Sequence, residues 1–233
     1  MKQLIISFLA LLTLGACNHI TGSGNIITEK RNTGEFRGVD ISSGFTAEVR
    51  IGPNTEVLVE ADDNVIHRVH TRVDDGILHV DTRGLNNTTN VHLKVYITTP
   101  ALTTVKGSAG ADVIVRNPIQ GNEKVRFAAS SAANVRAEVD APEVDADASS
   151  AGTLSLSGHT RSYDASVSSG AHIRSWDLLS ETTKVSASSG AEANVHASVK
   201  LKANASSGGD ITYHGAANAE IERSSGGEVS KKD

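Results

Sequence analysis

The sequence predicts an all-β chain, a right-handed parallel β-helix with narrow Ser/Gly/Ala/Val-rich coils and a less regular N-terminal β portion. Three observations carry that expectation. A short corner recurs as Ser108-Ala109-Gly110, Ser130-Ser131-Ala132, Ser149-Ser150-Ala151, Ser168-Ser169-Gly170, Ser188-Ser189-Gly190, Ser206-Ser207-Gly208 and Ser224-Ser225-Gly226, its leading serines stepping by 22, 19, 19, 20, 18 and 18 residues. Between corners the apolar residues alternate with period two, as in Ala191, Ala193, Val195, Ala197, Val199, Leu201, Ala203 and Ala205, which is strand and not helix periodicity. Aromatic residues make up only 3% of the chain, too few for an ordinary globular core but compatible with thin stacked coils. Repeats of this length cannot bury an apolar face alone, and stacking gives each one a neighbour.

Taken in order, residues 1–16 stand outside the fold. Lys2 is a short basic start, Leu4 to Leu14 is an apolar run too short to span a membrane, and Leu14-Gly15-Ala16-Cys17 closes it. This resembles a bacterial lipoprotein signal with its lipobox. The resemblance implies cleavage before Cys17 and lipidation of that residue, the only cysteine of the chain, so that the lipid is the membrane partner and no disulfide is expected. Residues 17–25 then read as the lipidated cysteine and a short flexible tether.

Residues 26–104 read as the irregular N-terminal β portion, with strands expected over Phe36 to Ile41, Phe45 to Ile51, Val57 to Ala61, Val65 to Val73, Ile77 to Thr82 and Val91 to Thr98. Ser42-Ser43-Gly44 shows the corner once, and Asp74-Asp75-Gly76 between Val73 and Ile77 is a hairpin signal, so antiparallel pairing is expected here. This portion is expected to cover the first open edge of the stack. Gly84 to Asn90, with Asn86 and Asn87, reads as a polar loop.

Residues 105–233 read as regular coils, continuous with the preceding part in one domain over 26–233. Each coil holds about two or three short strands at about 4.8 Å rise, so seven coils make a rod of about 35 Å. Val135, Ala137, Val139 and Ala141 change parity at Pro142 to Val144, Ala146 and Ala148, which marks a bend. At the corners, of which Gly110 closes the first, Gly170, Gly190, Gly208 and Gly226 can take positive φ, and the serine hydroxyls are expected to bond backbone groups or one another. Ala132 and Ala151 hold the matching place in two coils, so positive φ is not expected to be obligatory there.

A lipobox followed by Phe36-Arg37-Gly38-Val39, Ser42-Ser43-Gly44, Asp63-Asn64-Val65-Ile66, Asp75-Gly76-Ile77-Leu78, Tyr96-Ile97-Thr98-Thr99-Pro100-Ala101-Leu102 and Gly107-Ser108-Ala109-Gly110 resembles the bacterial family named "putative auto-transporter adhesin, head GIN domain". The resemblance runs from about Phe36 to the C-terminus. It implies a right-handed β-helical fold on a secreted or lipid-anchored protein, and it brings no catalytic residues.

The chemistry-bearing residues support binding better than catalysis. A serine repeated once per coil cannot serve as one nucleophile with one base, so Ser108, Ser130, Ser149, Ser168, Ser188, Ser206 and Ser224 read as structural. His67 and His70, three apart in a strand-like run, fall on opposite faces, and no metal site or cofactor is expected. Asp112, Asn134, Thr153, His172, Glu192, Asp210 and Glu228, four after each leading serine, form an expected outward stripe whose interruption by Thr153 and His172 disfavours calcium. Without Lys2 the chain carries 21 basic and 27 acidic side chains, a net charge near −6, which argues against nucleic acid as partner.

The reading is a lipid-anchored, non-catalytic binding, adhesin-like or scaffold module of the cell envelope, at the outer membrane, with a protein or glycan partner. An enzyme acting on polysaccharide or peptidoglycan is the alternative, although Trp176, Tyr163 and Tyr213 are its only aromatics in the repeat half that could serve as sugar platforms besides Phe127. Self-stacking through the ends of the rod is a third reading.

Overall fold

The computed structural model describes residues 19–85 and 88–232. The signal segment 1–16, Cys17, Asn86 and Asn87 lie outside the described residues. The chain is 62% strand and forms a β-solenoid of about seven turns with a less regular N-terminal portion. One 3-10 turn, Ile66–Arg68, is the sole helical element among the described residues.

Two parallel columns of strands flank the serine corners. The column entering them contains Gly38–Ile41, Thr104–Gly107, Val125–Ala129, the second halves of Asn134–Ala148 and Thr153–Val167, the end of Leu178–Ala187, then Lys200–Ala205 and Asn218–Arg223. The column leaving them contains Thr46–Ile51, Asp112–Val115, the first halves of the same two long strands, His172–Ser175, Glu192–His196, Asp210–His214 and Glu228–Lys231. Period-two alternation turns one side of each strand inward, and parallel register stacks like positions from coil to coil. One inner row reads Val113, Val135, Leu154, Ile173, Ala193, Ile211 and Val229, and another Val125, Val144, Tyr163, Thr183, Leu201 and Ala219. Both rows are mainly aliphatic and almost wholly buried, so like positions pack on like from coil to coil.

Pro142 sits inside the strand Asn134–Ala148, yet the bend is real: the ladder to the next coil skips from Ala141–Thr160 to Glu143–Ser162, and burial changes parity there. Proline has no N–H to give the ladder and so fits this gap, which recurs one coil on between Thr160–Ser180 and Ser162–Thr182 without a proline.

The N-terminal portion departs from simple coil order. Gly38–Ile41 lies between Ile77–Thr82 and Thr104–Gly107, and Thr46–Ile51 lies between Leu93–Thr99 and Asp112–Val115. The chain therefore builds its second coil first, travels outward to make the first, and returns. Antiparallel strands close that end: Glu56–Asp62 on Leu93–Thr99, Ile26–Arg31 on Glu56–Asp62, and Val69–Asp74 on Ile77–Thr82. The hairpin at Asp75-Gly76 has both residues at positive φ, 47° and 71°, the type I′ geometry that matches strand twist.

Three expectations need correction. The run Val65 to Val73 is not one strand: Val65, Ile66 and Val69 are all buried, a spacing that alternation cannot satisfy, so the chain takes the Ile66–Arg68 turn before the strand Val69–Asp74 begins. His67 therefore lies in that turn and only His70 in a strand. The described part of the expected tether, 19–25, is held down: Ile20–Thr21 pairs with Thr88–Thr89, Gly24 N–H donates to Asp62 Oδ1 (2.8 Å), and Ser23 Oγ and Asn25 Nδ2 donate to Asp63 (2.6 and 2.8 Å). Those donors hold the Asp63 carboxyl below the usual carboxylate range. Finally, Ala132 and Ala151 both have φ 61°, so positive φ is imposed at every corner whether or not glycine supplies it.

Candidate functional site

The serine corners fall in one column, each a tight turn closed by a backbone bond from the fourth residue to the leading serine carbonyl. Ala111 donates to Ser108 (3.1 Å), Ala133 to Ser130 (3.1 Å), Gly152 to Ser149 (2.9 Å), Ala171 to Ser168 (3.2 Å), Ala191 to Ser188 (3.2 Å), Gly209 to Ser206 (2.8 Å) and Gly227 to Ser224 (2.9 Å). The two central residues of every turn have positive φ, from Ala109 and Gly110 to Ser225 and Gly226. That leaves the third residue's N–H pointing along the stack, where Gly110 donates to Ser131 O, Gly170 to Ser189 O, Gly190 to Ser207 O and Gly208 to Ser225 O at 2.9 to 3.2 Å. The ladder is thus made of backbone. Hydroxyl bonds at the corners are confined, among the described residues, to Ser42 and Ser43, which lie 3.4 Å apart, with Thr82 N–H donating to Ser43 Oγ. No base is bonded to a corner serine, and the column is a structural spine.

The outward stripe is also in register: Thr46, Asp112, Asn134, Thr153, His172, Glu192, Asp210 and Glu228 follow one another. His172 Nδ1 is 3.4 Å from Glu192 Oε2, and Asn194 Nδ2 donates to Glu192 Oε1 at 3.0 Å. Burial, then the charges of Glu228 and Glu192, push the Asp210 carboxyl up. Among the described residues no three histidine, cysteine, aspartate or glutamate side chains converge as a metal site would require.

A concave site lies instead at the bend marked by Pro142. It is a groove of about 640 Å³ along the stack, with Gly121 and Asn122 at one end and His196 and Ser198 at the other. Its walls come from successive coils: Asp140, His159 and Leu179 are ladder neighbours on one side, and Pro142, Arg161 and Glu181 follow one another round the turn. Backbone bonds fix these turns, since Ser198 and Val199 N–H donate to Ser180 and Glu181 carbonyls at 3.0 and 2.9 Å. Floor hydroxyls are spent on the backbone too: Thr160 Oγ1 donates to Ser162 O (3.1 Å), Ser198 Oγ to Ser180 O (3.1 Å), and Thr183 Oγ1 to His196 O (2.7 Å), with Ser180 Oγ against the same carbonyl. Glycine is required at 158, where φ is 111° and a Cβ would meet the Val139 carbonyl oxygen at 2.1 Å.

Asp140, His159, Arg161 and Glu181 are exposed and, among the described residues, form no ion pair with one another or with other side chains, so the carboxylates of Asp140 and Glu181 and the Arg161 guanidinium face solvent. Leu179 is 46% and Val199 61% exposed, on successive coils at this bend. The arrangement offers apolar contact flanked by mixed charge, which suits binding of an extended partner. Sequence reasoning missed it because the bend column (Pro142, Arg161, Glu181, Val199) repeats no residue type. The parity change at Pro142 marked the bend but not its continuation on later coils, for which the available signal was Leu178-Leu179, where two adjacent leucines break the alternation. Trp176 packs nearby in a turn, half-buried, its ring edge-on to His214 at 4.2 Å and 63°.

Comparison with solved structures finds the same fold. A putative adhesin from Bacteroides fragilis superimposes with a TM-score of 0.80 at 18% identity, covering 91% of this chain and 99% of the other. A putative lipid binding protein from Parabacteroides distasonis gives 0.70 at 17% identity, over 92% and 100%. A putative adhesin from Parabacteroides merdae gives 0.66 at 20% identity, over 92% and 99%. Comparison with curated proteins finds no match. The model of one family covers residues 35–217, from the closed end through the coils that carry the groove, and the chain belongs to that family, described as "putative auto-transporter adhesin, head GIN domain".

Proposed function

We propose that this protein is a non-catalytic, adhesin-like binding module of the cell envelope that contacts its partner through the groove at the Pro142 bend. The family description, an adhesin head, supports the adhesin-like reading. The observation that carries the choice of surface is the pair Leu179, which lines the groove, and Val199, beside the lining Ser198 at its rim, exposed on successive coils next to His159 and the unpaired charges of Asp140, Arg161 and Glu181. Lipidation at Cys17 belongs to the same proposal and rests on Leu14-Gly15-Ala16-Cys17. It ties the module to a membrane, with the outer membrane as the proposed location and protease shaving of intact cells as the measurement.

The competing enzyme reading needs carboxylates converging on a cleft, whereas Asp140 and Glu181 stand on different coils with His159 and Arg161 between them. The test is retention of cells or isolated envelopes on beads carrying the chain, for the natural sequence and for Leu179→Ser with Val199→Ser. Retention should fall about tenfold, the loss expected when two exposed apolar anchors are removed. Equal retention by a folded double variant would move the contact surface elsewhere.

A further inference from the structure

At the closed end, the first paired residues of the chain are held beside two unpaired arginines. Ile20–Thr21 lies on Thr88–Thr89, and Asn64 Nδ2 donates to the Thr21 carbonyl (2.9 Å), so the chain is pinned within three residues of Cys17. Asn64 leads into the Ile66–Arg68 turn, which opens Val69–Asp74, the outermost strand on its side of the closed end. Arg83 N–H donates to the Arg68 carbonyl (3.2 Å), and Arg68 Nη1 lies 3.3 Å from the place a Cβ on Gly84 would take, so the Arg68 guanidinium rests against the Arg83-Gly84 backbone with the exposed His67 next to it. Among the described residues neither arginine forms an ion pair, and Arg68 Nε has no hydrogen-bond partner. The neighbouring carboxylates are engaged elsewhere: Asp62 accepts from the Gly24 and His92 N–H groups (2.8 and 2.7 Å), Asp63 from Ser23 and Asn25, and Asp81 pairs with Arg72 (2.7 Å).

The geometry points to this end of the stack as the docking surface for a bilayer with anionic headgroups, the coils rising away from it. The inference rests on the proposed lipidation of Cys17 and adds an orientation to it. Three residues of extended chain span about 10 Å, so acyl chains on Cys17 enter the bilayer within that reach of Ile20. Arg68 and Arg83 then stand at the height of the headgroups, where a guanidinium binds phosphate oxygens through paired N–H donors and two like charges held together gain the counter-charge they lack in the protein. Charge also selects the face. The chain carries 27 acidic against 22 basic side chains, so an anionic surface repels most of the molecule and attracts this patch. Lying flat along the corners would instead press the outward stripe of Asp112, Glu192, Asp210 and Glu228 against the same headgroups.

The test uses the full chain, its acylation measured by mass spectrometry, in vesicles of phosphatidylethanolamine and phosphatidylglycerol that carry a nitroxide at the headgroup. Cys17 is the only cysteine and its thiol is consumed by acylation, so Thr88→Cys and Ser224→Cys each take a single fluorophore. The probe at position 88 should lose about half of its emission to the nitroxide, and the probe at position 224, about 35 Å up the stack, about a tenth or less. Replacing phosphatidylglycerol with phosphatidylcholine should cut the quenching at position 88 about twofold, and so should Arg68→Gln with Arg83→Gln, acylation being unchanged. Equal quenching at the two positions, or quenching at position 88 that ignores the lipid charge or the arginines, overturns the inference and leaves lipidation standing. A chain without acyl groups overturns the lipidation reading and this orientation with it.

Discussion

Ala132 and Ala151 occupy equivalent corner positions on successive coils, each at φ 61°, and the N–H of Ala132 donates to Ser150 O at 3.0 Å while that of Ala151 donates to Ser169 O at 3.1 Å. The stack holds alanine where glycine would rest unstrained. A left-handed alanine costs about 1–2 kcal/mol, partly offset by the smaller entropy it loses on folding compared with glycine. Ala132→Gly and Ala151→Gly should therefore each stabilise the chain, by about 0.5–1 kcal/mol, seen as a higher denaturation midpoint. An unchanged or lower midpoint would show that the turn is not strained.

Adjacent glycines should respond differently to the same change. A Cβ on Gly208 meets nothing within 4 Å, so Gly208→Ala pays only for its φ of 72° and should cost about 1 kcal/mol. A Cβ on Gly209 would stand 2.4 Å from the Ala187 carbonyl oxygen, in the backbone of the coil below. Gly209→Ala must push two coils apart and should cost about 2–3 kcal/mol. Urea unfolding of the two variants side by side decides it, and equal losses would contradict the geometry.

Asp210 stands between Glu192 and Glu228 in the outward stripe, and its raised carboxyl pKa means that ionisation opposes folding. The sign follows: its contribution is fully present below the ordinary aspartate pKa and is lost as pH rises through the raised folded value. Asp210→Asn should stabilise the protein at neutral pH and leave little difference in acid. Stability curves at several pH values check this, and a variant less stable at pH 7 would refute it.

Glu48 works in the opposite direction. It lies on the out-of-order coil and bonds Arg116 and Lys94, both at 3.0 Å, from the coils on either side, and these cations, Arg116 foremost, pull its pKa down to about 2. A lowered carboxylate pKa contributes stability above the ordinary glutamate value, lost as pH falls toward about 2. Glu48→Gln should cost about 1–2 kcal/mol at pH 7, and the deficit should shrink steadily in acid. A deficit independent of pH would assign the loss to packing.

Inside the coils, Tyr163 is buried, its hydroxyl donating to Ser175 Oγ (3.1 Å), which donates to the Asn194 carbonyl (2.8 Å). Ser175→Ala strands two polar groups and should cost about 1–3 kcal/mol, more than Tyr163→Phe, which removes one partner and leaves Ser175 bonded. Burial also holds the Tyr163 phenol above its usual pKa, so alkaline spectroscopic titration should find one tyrosine that ionises only on unfolding.

The corners and coils were legible because serine and glycine recur at a spacing that strands of period two must obey. What the pattern does not encode is partner choice. Gly38–Ile41 and Thr104–Gly107 look like successive steps of one stack, yet nothing in their alternation reveals that Ile77–Thr82 joins on the far side of the first. Ala132 misled for a physical reason: side-chain identity reports preference, and here the neighbouring coils override it. The bend was legible at Pro142, where the alternation changes parity, but the groove that follows it was not, because a bend needs only a break in the ladder, which proline, arginine, glutamate and valine each tolerate.

The strand order at the closed end also carries a lesson for biogenesis. Because Thr46–Ile51 is flanked on both sides by strands written later, the earliest coil becomes a hub, sealed outwardly once Leu93–Thr99 arrives. A polypeptide delivered amino end first then offers every later stretch of some twenty residues a finished template, so assembly advances in one direction and an interrupted chain still ends as a shorter, orderly particle.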